Sequence, residues 1–243
     1  MGGTLALAKI EIMRLRRNRR YMMLTLALPV VLYLLVAKQV QHVTAYGVPY
    51  KAYYMVAMAS LGAFAGALTS NAQRISQERK DGWIRQLRLT PIPPQSYVVA
   101  KIIASLATSI PSILLVLLLG RFYGDVQLAG WKWVVIGVAV WAGTLIFAAL
   151  AVAIGYRYMP DTVQPMTMFV YLIMTFLGGV WFALGGTLQK IGEALPTYQI
   201  IRVGTDVIFN GTVSVTSIVV IAAWLVGFIV LAWLSVRATA ETV

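Results

Sequence analysis

Six stretches of this chain are long and apolar enough to cross a lipid bilayer, and they constrain its fold more than any other feature. A helix of about 20 apolar residues spans a hydrocarbon core roughly 30 Å thick. Barrel strands are excluded, because they alternate in polarity over only about ten residues. The stretches cover residues 21–37, 53–72, 102–120, 133–156, 163–184 and 213–236. The sequence therefore predicts an all-α integral membrane protein with six transmembrane helices.

The composition excludes an ordinary soluble fold. Of 243 residues, 60% are hydrophobic and 12% are charged, whereas soluble domains carry roughly 25% charged residues. A soluble fold of this chain would leave a large apolar surface in water. We interpret residues 1–243 as a single transmembrane domain.

The distribution of Lys and Arg predicts the orientation, because cytoplasmic loops carry the excess of these residues. With six spans, fourteen of the twenty Lys and Arg fall on one side and six on the other. We therefore expect both termini in the cytoplasm and a multi-pass protein in the cell inner (plasma) membrane. The net charge of +12 fits basic loops facing anionic membrane lipid, so no nucleic-acid partner is expected.

Residues 4–18 have the pattern of an amphipathic helix that lies at the membrane interface. Apolar residues recur there at spacings of three and four: Leu5, Ala8, Ile12 and Leu15. Glu11 and Arg14 lie opposite this stripe. The alternative is that the segment is only a basic topology signal.

Small residues in the second span predict a close helix contact. Gly62 and Gly66 flank Ala63-Phe64-Ala65, and small residues at this spacing let helix backbones approach each other in lipid. The contact could lie within one chain or between two copies.

Residues 185–212, before the last span, are too apolar for a solvated loop and too interrupted by Gly and Pro to cross the membrane. Residues 188–195 and 197–209 predict two short helices. We expect them to form a re-entrant extracellular region that dips into the outer leaflet. An ordinary amphipathic helix pair outside the membrane fits the same residues.

Catalytic chemistry is sparse in this sequence. The single histidine, His42, falls in a predicted external loop, and all eight acidic residues fall in loops or at the edges of spans. This disfavours an intramembrane enzyme, a metal site or an ion-coupled carrier. The sequence has no cysteine and no phosphate-binding loop motif. We expect no enzyme activity and no cofactor in this chain, so energy for transport would come from another subunit.

Residues 73–97 form the predicted cytoplasmic loop between the second and third spans. Asp81 is placed to cap a short helix that begins at Gly82. Trp83 and Leu87, four residues apart, give this helix a small apolar face. Prolines then prevent its continuation; they are Pro91, Pro93 and Pro94.

This short helix suits docking into a groove of a soluble partner, because aromatic residues and arginines dominate many such interfaces. Trp83 would be the anchor, with Arg85 beside it. The alternative is that Trp83 and Ile84 only rest among the lipid headgroups, as Trp often does.

At these residues the chain resembles the permease subunits of type-2 ATP-binding-cassette (ABC-2 type) exporters. The order and spacing of the matching residues follow the cytoplasmic loop of that family: Glu78, Arg79, Gly82, Leu87, Thr90, Pro91 and Lys101. The likeness extends to the amphipathic amino-terminal helix, the six spans and the re-entrant segments. Trp83, Arg85 and Ala100 depart from the usual family residues.

The resemblance implies a partnership with ATPases. Two permease copies, identical or close paralogues, would pair and each couple to an ABC ATPase subunit that binds ATP and Mg²⁺. The residues expected to carry this coupling are Glu78, Arg79, Gly82, Trp83, Leu87, Thr90, Pro91 and Lys101.

The function implied is export of an amphipathic drug, antibiotic, lipid or peptide-like substrate. Four polar residues on one face of the fifth span would line the substrate path or the dimer seam: Gln164, Thr167, Tyr171 and Thr175. The alternative from another class is a membrane scaffold or sensor that anchors a soluble partner without transport.

Overall fold

A computed structural model describes residues 2–17, 19–40, 43–89 and 94–241, which are predominantly helical. The helices are α1 (Gly2–Arg17), α2 (Arg19–Ala37), α3 (Tyr50–Ala65), α4 (Asn71–Lys80), α5 (Trp83–Arg88), α6 (Pro94–Phe122), α7 (Gly130–Arg157), α8 (Pro160–Leu177), α9 (Gly186–Glu193), α10 (Pro196–Phe209) and α11 (Val215–Glu241). A π-helical turn, Gly66–Ser70, joins α3 to α4 without a break. Strands β1 (Thr44–Ala45) and β2 (Val48–Pro49) form a small antiparallel hairpin.

Four helices among the described residues are long and apolar enough to cross a membrane by length and composition. They are Tyr50–Lys80, Gln95–Phe122, Gly130–Arg157 and Val215–Ala238. This agrees with the second, third, fourth and sixth predicted spans and with an all-helical integral membrane protein. The first predicted span falls on α2, whose apolar part, Thr25–Ala37, is shorter, and the fifth falls on α8, so the count of six stays a prediction.

The fifth span differs from the predicted range. We expected a continuous apolar helix over residues 163–184, but α8 ends at Leu177. Gly178 and Gly179 follow, and Gly179 adopts a positive φ of 74°, which glycine reaches without the steric cost of a side chain. The chain turns there instead of continuing as a helix.

The continuous helix Tyr50–Lys80 forms the centre of the bundle. Most of its α3 part is buried, and it packs against α2, α6, α7 and α10. Phe64 stacks on Phe147 of α7 with the ring centroids 4.3 Å apart. A helix that is apolar on all sides belongs in the interior of a bundle, where each face has a protein neighbour.

Gly62 lies at the crossing of three helices, which confirms the predicted close contact and places it within one chain. A Cβ atom at this position would lie 2.1 Å from Ser112 Oγ of α6 and 2.9 Å from Pro29 Cγ of α2. No side chain other than hydrogen fits this space without movement of a neighbour.

The β-hairpin lies beside α10, and we call this side of the molecule the hairpin end. Tyr46 and Gly47 form its two-residue turn with φ angles of 50° and 80°, as a type I′ turn requires. Tyr46 OH donates to Leu184 O at 3.0 Å and accepts from Leu184 N at 2.8 Å. Tyr53 OH donates to Gly179 O. These bonds fix the segment between α8 and α9.

The predicted pair of short helices before the last span is present as α9 and α10. Helix α10 packs closely on the bundle, since Gly204 faces Val56 of α3 and Gly143 of α7 faces Ile200. Ser217 Oγ of α11 lies 2.7 Å from Gln199 Oε1. The entry of this region into the bilayer stays a prediction.

Candidate functional site

On the side opposite the hairpin end, four helices meet. They are α1, the end of α4, α5 and the beginning of α6. Helix α1 packs along α6, and α4 packs against α7 and α5. We call this side the basic end, because it gathers Arg14, Arg74, Arg79 and Lys101. These residues belong to the larger of the two groups of Lys and Arg in the sequence.

Lys101 is the centre of a buried ionic network at the basic end. The residue is 1% exposed, although a lysine is almost never fully buried without a partner. Lys101 Nζ lies 3.0 Å from Glu11 Oε1 of α1 and 2.8 Å from Glu78 Oε2 of α4. One ammonium group on α6 therefore joins two other helices.

Three further side chains complete this network. Arg74 Nη2 lies 2.9 Å from Glu11 Oε2, and Tyr97 OH donates to Glu78 Oε2 at 2.6 Å. Arg14 Nη1 lies 3.6 Å from Glu78 Oε1. We call the set the charge cluster; its members are Glu11, Arg14, Arg74, Glu78, Tyr97 and Lys101.

The charge cluster satisfies the conditions under which buried ions are tolerated. Removing ions from water costs several kcal/mol each unless every charge has a partner and further hydrogen bonds. Both carboxylates receive more than one donor, and the cations come from three different elements. The cluster holds α1, α4 and α6 in one fixed arrangement, since moving any of them would strip a buried charge of its partner.

Helix α5 rests on an apolar surface beside this cluster. Three of its residues, Trp83, Ile84 and Leu87, pack against buried side chains that we call the α5 seat: Ile75, Tyr97, Val152, Ala153, Tyr156 and Ala232. The guanidinium of Arg14 lies 5.6 Å from the Trp83 ring centroid, which adds a cation–π contact between α1 and α5.

The start of α5 differs from the predicted capping arrangement. Gly82 is the residue before the helix, with φ 76°, and no side chain caps it. Asp81 ends α4 instead, and its Oδ1 accepts from Gln77 Nε2 at 2.9 Å. The prediction that Asp81 caps α5 is wrong, because the left-handed turn at Gly82 follows it and its carboxylate bonds back along α4.

The face of α5 that points away from the seat carries Arg85, Gln86 and the following Leu89. All three are exposed, and Leu89 is 86% exposed. Leu89 is the apolar member of this exposed face.

The predicted coupling residues within the described part of the chain lie at different places: some in or near the charge cluster, and others in α5 or the turn before it. Glu78 and Lys101 lie inside the charge cluster, and Arg79 Nη2 donates to Tyr158 O at 2.7 Å. Trp83 and Leu87 lie on the α5 seat, and Gly82 forms the turn before it. Thr90 and Pro91 lie outside the described residues.

The four polar residues of the predicted fifth span differ in burial: three are buried and one is exposed. Thr167 and Thr175 are buried, and each hydroxyl bonds a carbonyl of its own helix. Tyr171 OH donates to Leu61 O of α3 at 2.9 Å. Gln164 is exposed.

Sequence reasoning missed four members of the charge cluster: Glu11, Arg14, Arg74 and Tyr97. Glu11 was expected on the polar side of α1, but it is 6% exposed and faces α6. A usable signal was present, since Glu11 is the one acid among the first 77 residues. Within the described ranges, no group of three or more His, Cys, Asp or Glu is arranged to hold a metal ion.

The fold and the site define a multi-pass helical membrane protein that carries a short helix on a rigid platform at one end. A sequence model described as "ABC-2 family transporter protein" matches residues 37–237. The chain belongs to this ABC-2 transporter family, and it is a membrane subunit of a transporter. The family implies that the chain works with ABC ATPase subunits.

One relative covers almost the whole chain. It is named "Putative transport permease YvfS", from Bacillus subtilis (strain 168), and it is 25% identical over 224 residues. The alignment covers 91% of each chain.

Proposed function

We propose that this chain is the permease of an ATP-driven exporter that moves an amphipathic drug, antibiotic, lipid or peptide-like substrate. The observation that carries this proposal is the arrangement at the basic end, where α5 rests on a rigid platform and exposes its other face. A transporter without its own phosphate-binding loop needs such a surface to receive work from an ATPase. ATP and Mg²⁺ would be bound by that partner.

In this proposal the basic end faces the cytoplasm of a cell with the protein in its inner (plasma) membrane. The excess of Lys and Arg at this end supports that orientation. Helices α2 and α8 would act as the first and fifth spans and bring the total to six. The two termini would then be cytoplasmic, and α9 and α10 would lie on the outer side.

Docking of the ATPase would use the exposed face of α5, with Arg85, Gln86 and Leu89 as contacts. Trp83 and Leu87 have a different role, because they fix α5 to its seat. A push on α5 would be passed to α4, α6 and α7 through the seat, and to α1 through the charge cluster. The ATP-bound and ATP-free partner would favour different arrangements of the permease.

We propose that two copies, identical or closely related, form the path between them and that each binds one ATPase. Helix α8 is a candidate for the shared boundary, because its outer face is apolar and exposed at Met168, Phe169 and Ile173. Gln164 adds a polar group to this face. Thr167, Tyr171 and Thr175 would support the path from behind through their buried hydrogen bonds.

The proposal is tested by gentle purification of the tagged chain and identification of the proteins that remain bound. An ABC ATPase whose hydrolysis rises in the presence of this chain in lipid bilayers is the expected result. A chain isolated alone, or with a partner that is not an ATPase, contradicts the proposal and favours a membrane scaffold or sensor.

A matched pair of variants tests the docking face. Leu89→Asp should lower ATPase recovery at least about tenfold, because a buried charge without a partner costs several kcal/mol at an interface. Leu188→Asp makes the same change at an exposed position of α9 and should leave recovery unchanged. Labelling of Arg85→Cys from outside the cell would overturn the proposed orientation.

A further inference from the structure

An apolar groove runs between α6, α7 and α11 near the basic end. It has a volume of about 370 Å³ and is lined mainly by aliphatic side chains, among them Val99, Ile102 and Ile229. Sites for small molecules and cofactors have volumes of about 300–1,000 Å³. The groove is therefore large enough to hold one elongated apolar group.

Polar side chains lie at one end of this groove. They are Gln95 in the first turn of α6 and Arg237 in the last part of α11. The Arg237 guanidinium carbon lies 3.8 Å from the Trp233 ring centroid. Contact with this ring restricts the cation, while its N–H groups remain able to donate to an anion.

The groove shares its wall with the α5 seat. Val152 and Ala232 line the groove and belong to the seat. Val98 and Val236 line the groove and also pack against the seat. A molecule in the groove would touch the reverse side of the platform that carries α5.

We propose that this groove binds one anionic phospholipid from the membrane leaflet at the basic end. An acyl chain would lie along the aliphatic wall, and the phosphate would accept hydrogen bonds from Arg237 and Gln95. Ile229 and Arg237 are eight residues apart on α11, so the apolar part extends about 12 Å from the cation. This length and the single cation at one end match the shape and charge of a phospholipid.

Charge complementarity favours a lipid over a second copy of the chain. Anionic lipid headgroups bind basic pockets between helices at the cytoplasmic surface, and Trp residues such as Trp233 concentrate at that depth. The apolar residues of another copy's helices would cover the wall of the groove but would not themselves pair with Arg237. The lipid satisfies both parts of the groove.

The binding test uses the purified full-length chain, titrated with phosphatidylglycerol or phosphatidylcholine and observed by native mass spectrometry. Phosphatidylglycerol should bind saturably, with one molecule per chain, and phosphatidylcholine should bind much more weakly. Arg237→Gln should weaken phosphatidylglycerol binding about tenfold, because a charge-assisted hydrogen bond is lost. Arg157→Gln removes an exposed arginine from the end of α7, outside the groove, and should leave the binding unchanged.

Two further measurements separate the lipid from other occupants. Val99 lines the groove and is partly exposed, so Val99→Trp should fill the groove and abolish saturable binding of phosphatidylglycerol. Inorganic phosphate should not compete with the lipid for the site. Equal binding by Arg237→Gln, Arg157→Gln and the unchanged protein contradicts the proposal. The chain has no cysteine, so disulfide linkage of two Ile229→Cys copies in membranes would identify a protein interface there and overturn it.

Discussion

Lys101 Nζ on α6 and Glu11 Oε1 on α1 lie 3.0 Å apart in a site where both side chains are almost wholly buried. The amino-terminal helix is therefore bonded to the bundle through the same lysine that binds Glu78, 2.8 Å away. Because one cation serves two carboxylates, α1 and α4 cannot change their positions independently at this point. Any movement of the basic end carries all three helices together.

Replacing Lys101 by methionine should lower the free energy of unfolding by about 3–5 kcal/mol, because two buried carboxylates lose their shared cation. The midpoint of unfolding in detergent, followed by circular dichroism, measures this change. Lys80→Met removes an exposed lysine and should change stability by less than about 0.5 kcal/mol. Adding Glu11→Gln and Glu78→Gln to Lys101→Met should recover part of the loss. An unaltered midpoint for Lys101→Met alone would contradict the network.

Trp83→Asp should release α5 from its seat, because a carboxylate would face apolar side chains without a partner. The labelling rate of a single cysteine at Ile84, which is half-buried, should then rise strongly. Arg85→Asp introduces the same charge on the exposed face of α5 and should not change that rate. If both substitutions raise labelling equally, Trp83 does not hold the helix in place.

Gly62→Ala should destabilise the bundle by about 1–3 kcal/mol, as expected when a close-packed core must accept an added group. The added Cβ would lie 2.1 Å from Ser112 Oγ. Gly137→Ala is a suitable control, since the nearest atom there, Leu117 Cδ1, is 3.5 Å away. Thermal unfolding of the two variants measures the difference, and Ser112→Gly should partly rescue Gly62→Ala. Equal stability of the two alanine variants would show that the crossing is looser than described.

Tyr46→Phe should loosen the segment between α8 and α9, because both hydrogen bonds to Leu184 are lost. The expected loss of stability is about 1–3 kcal/mol, partly because the N–H and C=O groups of Leu184 lose their hydrogen-bond partner. Burial raises the pKa of Tyr46 to about 12, so the hydroxyl stays protonated and the bonds persist through the physiological pH range. Above the ordinary tyrosine pKa of about 10 the unfolded chain loses this proton first, and stability should fall as pH rises.

Proteolysis at the Leu184 segment measures the effect of Tyr46→Phe. Tyr123→Phe at the same end is a control, and it should leave the cleavage rate unchanged. Rapid cleavage in both variants, or in neither, would contradict a specific role for Tyr46.

Much of the helical fold could be predicted from the sequence, because long apolar stretches have few alternatives in lipid. Helices α9 and α10 could also be predicted, since Gly and Pro mark their ends. The termination of α8 at Gly178 was missed, because residues 180–184 remain apolar and a hydropathy pattern does not register the positive φ at Gly179. A hydropathy pattern indicates whether a segment lies in lipid or in water, but it gives no information about backbone angles.

Two members of the charge cluster, Glu78 and Lys101, could be selected from the sequence, but their arrangement in space could not. Their direct contact was not predicted, because it depends on how α4 packs on α6. The apolar side of α5 could be predicted from Trp83 and Leu87. It could not be predicted that this apolar side packs against the chain's own helices. An apolar helix face has the same sequence pattern whether a partner protein or the same molecule covers it. Glu11 was assigned to the wrong side of α1 because sequence periodicity cannot anticipate a buried cation on a distant helix.

The π-helical turn Gly66–Ser70 determines where α4 directs its side chains. A wider turn accommodates about one residue more than an α-helix of the same length, and one residue corresponds to about 100° of rotation around the axis. Deleting a single residue there would leave an uninterrupted apolar rod, but Arg74 and Glu78 would swing about a quarter turn away from Glu11 and Lys101. The rotational position of the charged side chains of α4 is thus set by a change of helix type that ends one helical turn before Arg74.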